Sequence, residues 1–470
     1  MSTSTRPMLT TTQSRRARLP AALRGVFKFN QSTTSDLFSR HVWSAWIDGP
    51  LDLRLLERAV SAMRERHALL RTRFFQDGER EMLEVLDPSE VERFGLLKYA
   101  DLSSLPADQQ QQADIEFHRG ECFRPLDIEH GEVMSVAVSR SSPTRHRLTV
   151  SLHNIVSDVE SMPIFVSELC ELWRAFADEP DRNPSAILPP TSIQYHHLAD
   201  YLEQVRGSEI GREQGAFWNA RLEGFQPLQL PNDLPREKVD ELRHANAGVV
   251  AFRSSTVTMT ITGASVPAIH RIARRSGATV MSTLVAAMAG YLSQRTSQRD
   301  LAFITRLSHR YLPRLTRTHG VLVNPVRLKR TLGFLVNPIL LRVSTEGAPS
   351  FGELVTRTHA VVTDAFDNGE CDLLDLAPHS AFRFCIVYVR EKSSGEAPLP
   401  LPAHNTATPA PVPGAWAEGR IGYDLLLWIN DDNNRIKLHL AYNLELFRDT
   451  TAAAFLEGFI SHVTAITRDE

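Results

Sequence analysis

The stretch His146-Arg-Leu-Thr-Val-Ser-Leu-His153-Asn154-Ile-Val-Ser157-Asp158-Val-Glu-Ser161 reads as a strand running straight into a helix. Residues 147–152 alternate strictly. Leu148, Val150 and Leu152 point one way and Arg147, Thr149 and Ser151 the other, the period-2 pattern of a half-buried strand. Ser157 with Glu160 three residues on has the form of a capping box, and Phe165, Leu169, Leu172 and Phe176 supply the apolar stripe of the helix that follows. A His at a strand end, followed by an acid at a helix cap, is how a rigid scaffold presents polar groups to a cleft. On spacing alone, a His beside an Asn is more often a satisfied structural residue. Alternation puts His153 on the face of Ser151 and Asn154 on the apolar face of Leu152.

Outward from this junction the same alternation of strands and helices recurs. Upstream, Val42 to Phe75 reads as strand, turn at Gly49-Pro50, then helix, with Leu55, Ala59, Val60, Met63 and His67 at helical spacing. Downstream, the polar, Pro-bearing segment 178–185 reads as a boundary, dividing the chain into 20–180 and 186–470 behind a disordered or docking tail of residues 1–19. The second part predicts a strand over 248–260, a helix over 280–292 and a strand over 382–389. A surface loop over 391–418, a strand over 436–442 and a helix over 450–466 complete it. Mixed α/β (α+β) structure in two similar halves is the coarse result. One short repeat stands out: Gly320-Val-Leu-Val-Asn-Pro-Val-Arg-Leu328 is echoed by Gly333-Phe-Leu-Val-Asn-Pro-Ile-Leu-Leu341, too short and too few for a solenoid.

Composition excludes several classes. At 470 residues with 42% hydrophobic and 23% charged side chains, the chain is neither disordered nor fibrous. A formal net charge of -3 argues against a dedicated nucleic-acid binder. The longest apolar runs, such as 284–292, are too short to span a bilayer. Cys122, Cys170, Cys371 and Cys385 are scattered, which fits buried, reduced thiols and a cytoplasmic location. Residues 301–345 hold eight Arg or Lys and no Asp or Glu, a solvated face or a docking surface for an acidic or phosphate-bearing partner. There is no Gly-x-Gly-x-x-Gly, Walker-type loop, Gly-x-Ser-x-Gly elbow or His-Glu-x-x-His. No metal site is expected, and His118 with Cys122, four apart, reads as helix surface. Covalent acyl-enzyme chemistry is not expected either, since neither Ser157 nor any Cys has a recognisable base beside it.

Several segments together carry a family resemblance. Arg66-His67-Ala-Leu-Leu70-Arg71-Thr72-Arg-Phe74 is similar to an Arg-His-x-x-Leu-Arg-Thr-x-Phe helix end, and His153 to Ser161 lies in the register of a His-His-x-x-x-Asp-Gly motif. Residues 195–201, Phe217-Trp218 and Leu230-Pro231-Asn-Asp233-Leu-Pro235-Arg236 resemble an inter-lobe connection. Gly333-Phe334-Leu-Val336-Asn337 and Tyr442-Asn443-Leu-Glu-Leu446-Phe447 resemble two later motifs. In this order and spacing, the chain resembles the condensation domains of nonribosomal peptide synthetases, within the chloramphenicol-acetyltransferase-like acyltransferases.

The resemblance implies two acyltransferase-like lobes, 20–180 and 186–470, in a V-shaped pseudo-dimer with a central tunnel. It implies carrier-protein partners, or synthase modules acting in trans on a stand-alone monomer. Their 4'-phosphopantetheine arms deliver an acyl thioester to an amine or hydroxyl acceptor, and the chain binds no cofactor of its own. It places Asn154 and His153 at the catalytic position, Asp158 paired with Arg310 of the second lobe as a structural element, and Ser157, Ser161, Gly333 and Asn337 along the tunnel or substrate path. It also implies natural-product, typically antibiotic, biosynthesis.

Two departures matter. Asn154 stands where the family's second His serves as base or positions the nucleophile, and a carboxamide has no useful basicity near neutrality. Val159 stands where a Gly usually follows the Asp, and the family's first motif is not recognisable around 30–37. Three readings therefore stay open: an acyltransferase forming an amide, less readily an ester, by positioning alone; a different cyclisation, elimination or release reaction on a carrier-bound intermediate; or a non-catalytic recruitment platform.

Overall fold

The computed structural model describes residues 15–32, 40–191, 193–245, 251–311, 328, 330–377, 381–390, 399–411 and 419–468. The tail before residue 15, residues 320–327 of the first repeat copy and most of the basic stretch's centre lie outside them. The chain forms two compact units, neither continuous in sequence. Met1–Glu209, Ser308–Val336 and Ala397–Ala415 make the first; Ile210–Leu307, Asn337–Glu396 and Trp416–Glu470 make the second. The polar segment at 178–185 thus lies inside the first unit, whose core includes Leu188 beyond it. Arg310 also belongs to the first unit, not to a second lobe.

In the first unit, β1 (Arg16–Arg18), read above as part of a tail, pairs antiparallel with β4 (Arg80–Val85), which pairs with β3 (Thr72–Asp77). Helix α1 (Ala21–Ser32) follows β1. The main sheet has the order β12 (Thr406–Pro409), β2 (Arg40–Asp48), β7 (Arg145–His153), β6 (Met134–Ser142), β5 (Lys98–Asp101). β12 comes from the segment read as surface loop. Helices α2 (Leu53–Arg66) and α4 (Ser161–Asp178) cover one face, where Leu148, Val150 and Leu152 meet Val60, Met63, Phe165 and Leu169 in one cluster. Each such buried aliphatic or aromatic side chain contributes about 1.5–3 kcal/mol over its exposed state.

The other face of β7 is not half-exposed as alternation predicts. Arg147, Thr149 and Ser151 are all buried, beneath α3 (Ala107–Phe123). Burial of polar groups is tolerable only when they are bonded, and here they are. Arg147 Nη1 donates to Asp114 at 2.7 Å and its Nε to Ser44 at 3.0 Å, while Nη2 reaches the Pro411 carbonyl. Ser139 donates to Asp114 at 2.5 Å, and Ser151 to the Cys122 carbonyl at 3.1 Å. His118 and Cys122 are therefore not helix surface; they lie on the buried face of α3. Helix α5 (Tyr195–Gly207) completes this unit.

The second unit opens with α6 (Glu209–Leu222) and α7 (Glu237–Ala245). Trp218 is buried and donates to the Asn368 carbonyl at 2.9 Å. Its seven-stranded sheet has the order β10 (Val336–Ser344), β9 (Asp300–Ser308), β11 (Phe384–Arg390), β14 (Leu425–Asp431), β15 (Ile436–Asn443), β8 (Phe252–Ile261), β13 (Gly419–Ile421). β11 runs parallel to β9 and β14; β14, β15, β8 and β13 pair antiparallel. Helices α8 (Ser265–Arg275), α9 (Val280–Arg295), α10 (Phe351–Asp367) and α11 (Asp449–Arg468) pack with it. The apolar run in α9 is buried almost all round, the mark of a central helix rather than a surface one. No helix among the described residues is long and apolar enough to cross a membrane.

Candidate functional site

β7 ends at His153 because His153 itself starts a 3-10 turn over Asn154–Val156: its Nδ1 accepts the Ile155 N–H at 3.0 Å. Since Nδ1 accepts, the ring proton sits on Nε2, which donates to Asn30 Oδ1 of α1 at 3.1 Å. The ring is fully buried. Burial, with the charges of Arg40 and His41 nearby, pushes its pKa well below the usual imidazole value, so it is neutral near pH 7. His153 thus caps the turn and is not presented to solvent.

From Ser151 to Asp158, Asn154 is the residue that is not buried. The Ser157 N–H donates to its carbonyl at 3.3 Å, closing the turn. Ser157 does not cap α4. Its hydroxyl, fully buried, donates back to the His153 carbonyl at 2.9 Å, and Nδ1 of His41 on β2 lies 2.8 Å from the same oxygen. The box expected from Ser157 and Glu160 is replaced by one a residue later: Asp158 Oδ1 accepts the Ser161 N–H at 2.8 Å, and the Ser161 Oγ accepts the Asp158 N–H at 3.2 Å. The helix starts at Ser161, so its first free N–H groups meet Asp158 and not Ser157.

Asp158 and Arg310 are paired in the first unit. Arg310 Nη2 lies 3.0 and 3.2 Å from the two carboxylate oxygens, and its Nη1 donates to the Leu328 carbonyl at 3.0 Å and to the Thr331 carbonyl. Leu335 N–H donates to Asp158 Oδ2 at 3.2 Å. Both side chains are buried. Gly333 N–H donates to Ser161 Oγ at 3.1 Å. Gly333 has φ +154, and a Cβ there would lie 2.3 Å from Tyr195 Cδ2, so only glycine fits. Ser161 and Gly333 are thus packed together, both tied to the ion pair.

Asn337 is not with them. It lies in the second unit, 1% exposed, and its Nδ2 donates to the Gly369 and Cys371 carbonyls at 2.9 and 3.0 Å. It closes a turn there and points at no open surface. The Arg66-His67 segment is explained by Glu168 of α4, which accepts from Arg66 Nε at 2.8 Å and His67 Nε2 at 2.7 Å. Burial alone would raise the Glu168 carboxyl, but those bonds hold it below its ordinary value. The thiols are poor nucleophiles: burial pushes Cys122, Cys170 and Cys371 up to about 12 and Cys385 to about 11. Among the described residues no three His, Cys, Asp or Glu side chains gather to hold a metal.

Sequence reasoning missed His41 and Asn30. Both lie more than 100 residues from their partners, and neither belongs to a motif.

Residues 17–470 match the family model described as Condensation domain. The chain is 26% identical over 437 residues, 90% of its length, to chondramide synthase cmdD of Chondromyces crocatus, of which it spans 10%. Among solved structures it superposes on the X-domain from teicoplanin biosynthesis with a TM-score of 0.75 at 21% identity, covering 98% of each chain. It superposes on the complex of the X-domain and OxyB from that biosynthesis with a TM-score of 0.74 at 20% identity, covering 99% of this chain and 96% of that one.

Proposed function

The chain belongs to the condensation-domain family, and from that premise we propose that it joins an acyl thioester, carried on the phosphopantetheine arm of a carrier protein, to an amine. The product is an amide in nonribosomal peptide or hybrid polyketide assembly. The observation that carries this reading is the turn after β7: Asn154 is its half-buried residue, held by His153, Ser157 and the buried Asp158–Arg310 pair. Such a scaffold positions a group without needing it to ionise.

An α-amine has a pKa near ~7.7–8.0 and is partly neutral at pH 7. Its nitrogen attacks the thioester carbonyl, the C–N bond forms and the C–S bond breaks. In this reading the Asn154 carboxamide donates an N–H to the oxygen as negative charge develops, a contribution of about 10²–10³-fold in other acyl transfers. An alcohol depends more on a base, so the amide is favoured over the ester.

A second reading, a recruitment platform, draws on Asn154 itself and on the likeness to a domain solved with a protein partner. Intact-protein mass spectrometry separates the two. Carrier proteins loaded with aminoacyl and fatty acyl groups are offered free amino acids and aminoacyl-N-acetylcysteamine thioesters, with wild type, Asn154→Ala and Asn154→His. Wild type removes the acyl mass and yields the condensed product, and Asn154→Ala does so about 10²-fold more slowly. Should wild type leave every donor intact while Asn154→His condenses them, the platform reading replaces the enzyme.

A further inference from the structure

We propose that the second unit carries a binding site for a small organic phosphate. It lies in a cavity of about 770 Å³ between the C-terminal turn of α9 and the turn that joins β10 to α10. Sites for small molecules run to roughly 300–1,000 Å³. The inference stands apart from the acyl-transfer reading, because it uses none of the residues of the turn after β7.

The charged side chains in the lining are Arg295, Arg299 and Glu346. Arg295 is held over the Tyr291 ring, its guanidinium carbon 5.3 Å from the centroid. That ring is fixed in turn, since the Tyr291 hydroxyl donates to the Phe455 carbonyl at 2.9 Å. Stacking uses none of the five guanidinium N–H donors. Among the described residues, none accepts a hydrogen bond from Arg295 and none forms an ion pair with it. Glu346 therefore leaves this cation unneutralised.

Arg299 is braced differently. Its Nη1 donates to the Ser293 carbonyl at 2.5 Å and to the Ser293 hydroxyl at 2.8 Å, and its own carbonyl accepts the Thr345 N–H at 2.8 Å. Two of the carbonyls that a helix end leaves over are thus taken, Leu292 by the Thr296 N–H and Ser293 by Arg299. This offsets part of the negative end of the α9 dipole. The β10–α10 turn adds backbone donors. Gly347 has φ +78 and Ala348 φ +46, the latter in a region that alanine enters only under strain. The Gly347 and Ala348 N–H groups bond to no described residue. Arg357 Nη1 donates to the Glu346 carbonyl at 3.1 Å, and the Glu346 N–H donates to Ser344 Oγ at 3.2 Å, so the turn is fixed. Successive amides in such a turn form a concavity suited to an anion.

Two guanidinia against one carboxylate leave the lining net positive. A phosphomonoester brings nearly two negative charges at pH 7 and three acceptor oxygens, which suits a cation with open donors and two free amides. A carboxylate brings one charge and two oxygens. The Gln294 and Ser297 side chains in the same lining suit a polar body on the phosphate.

Isothermal titration of the full chain tests this at constant ionic strength. The probes are glycerol 3-phosphate, inorganic phosphate and acetate. Glycerol 3-phosphate should bind at one site with a Kd of about 1 mM or tighter, and acetate at least ~10-fold more weakly. Arg295→Met, a change at an exposed side chain, should weaken glycerol 3-phosphate by about 10-fold or more. Glu346→Gln removes the repelling charge and should tighten binding about 2–5-fold. Arg274→Met, at an exposed position on α8, should leave it unchanged. Acetate binding as well as glycerol 3-phosphate, or Arg295→Met binding as wild type does, overturns the inference. So does a loss of affinity with Glu346→Gln. Inorganic phosphate binding as tightly as glycerol 3-phosphate would leave the body of the ligand unread, and the organic phosphate would fall with it.

Discussion

Asp158 and Asp424 are both buried carboxylates held by arginine, one in each unit, and they are satisfied in different ways. Asp158 meets a single guanidinium, and its remaining lone pairs take neutral donors: the Ser161 N–H, the Ser161 hydroxyl at 2.7 Å and the Leu335 N–H. Charge and hydrogen bonds both balance. Asp424 instead lies between two guanidinia, with Arg236 Nη2 at 2.5 Å and Arg243 Nη2 at 3.0 Å. Arg243 is 2% exposed, leans on the Phe252 ring, and has buried Nε and Nη1 that meet no hydrogen-bond partner among the described residues. Burial and these neighbouring arginines push Arg383 below the usual guanidinium value, with only partial help from Asp424. The first cluster orients a turn beside a half-buried residue; the second is an arginine-rich anchor in which Asp424 is the carboxylate facing the buried Arg243, while Arg236 also reaches Asp240 at 3.5 Å.

This contrast can be broken at its strongest point. Asp424→Asn leaves the buried Arg243 without its carboxylate, and denaturant unfolding should show a loss of about 3–5 kcal/mol. If the loss is below ~1 kcal/mol, Asp424 is not the anchor of this cluster. Arg310→Met strands a single carboxylate that keeps its neutral donors, so its cost should be smaller, roughly 2–4 kcal/mol. Adding Asp158→Asn should recover part of that, which a double-mutant cycle reads directly. The smallest effect belongs to Arg383→Met. It removes a like charge whose ionised form is already disfavoured, and the change should stay within about 1 kcal/mol of wild type in either direction.

Much of the scaffold was readable without coordinates. The strand over 145–153, the helix from 161 and the later strands and helices follow from side-chain period, which each segment carries within itself. The ends were less legible. Ser157 and Glu160 looked like a capping pair, yet the turn after His153 delays the helix, and Asp158 with Ser161 takes over. The Arg147 face of β7 looked solvated because polar residues alternate there. It is buried because α3 brings Asp114 to meet Arg147, 33 residues away. The carboxamide at 154 was legible as a chemical fact. The His41–Ser157 contact was not, since it joins residues 116 apart.

The sequence alone determined the local periods, the carboxamide in place of an imidazole at 154, and membership of a family that spans nearly the whole chain. The tertiary structure alone decided which ring nitrogen of His153 carries its proton, which imidazole stands beside Ser157, and to which unit Arg310 belongs. The physical reason is the same each time. A strand's period is set by its own backbone, but a proton's position is set by whichever donor or acceptor the fold brings within about 3 Å, and that partner lies far along the chain.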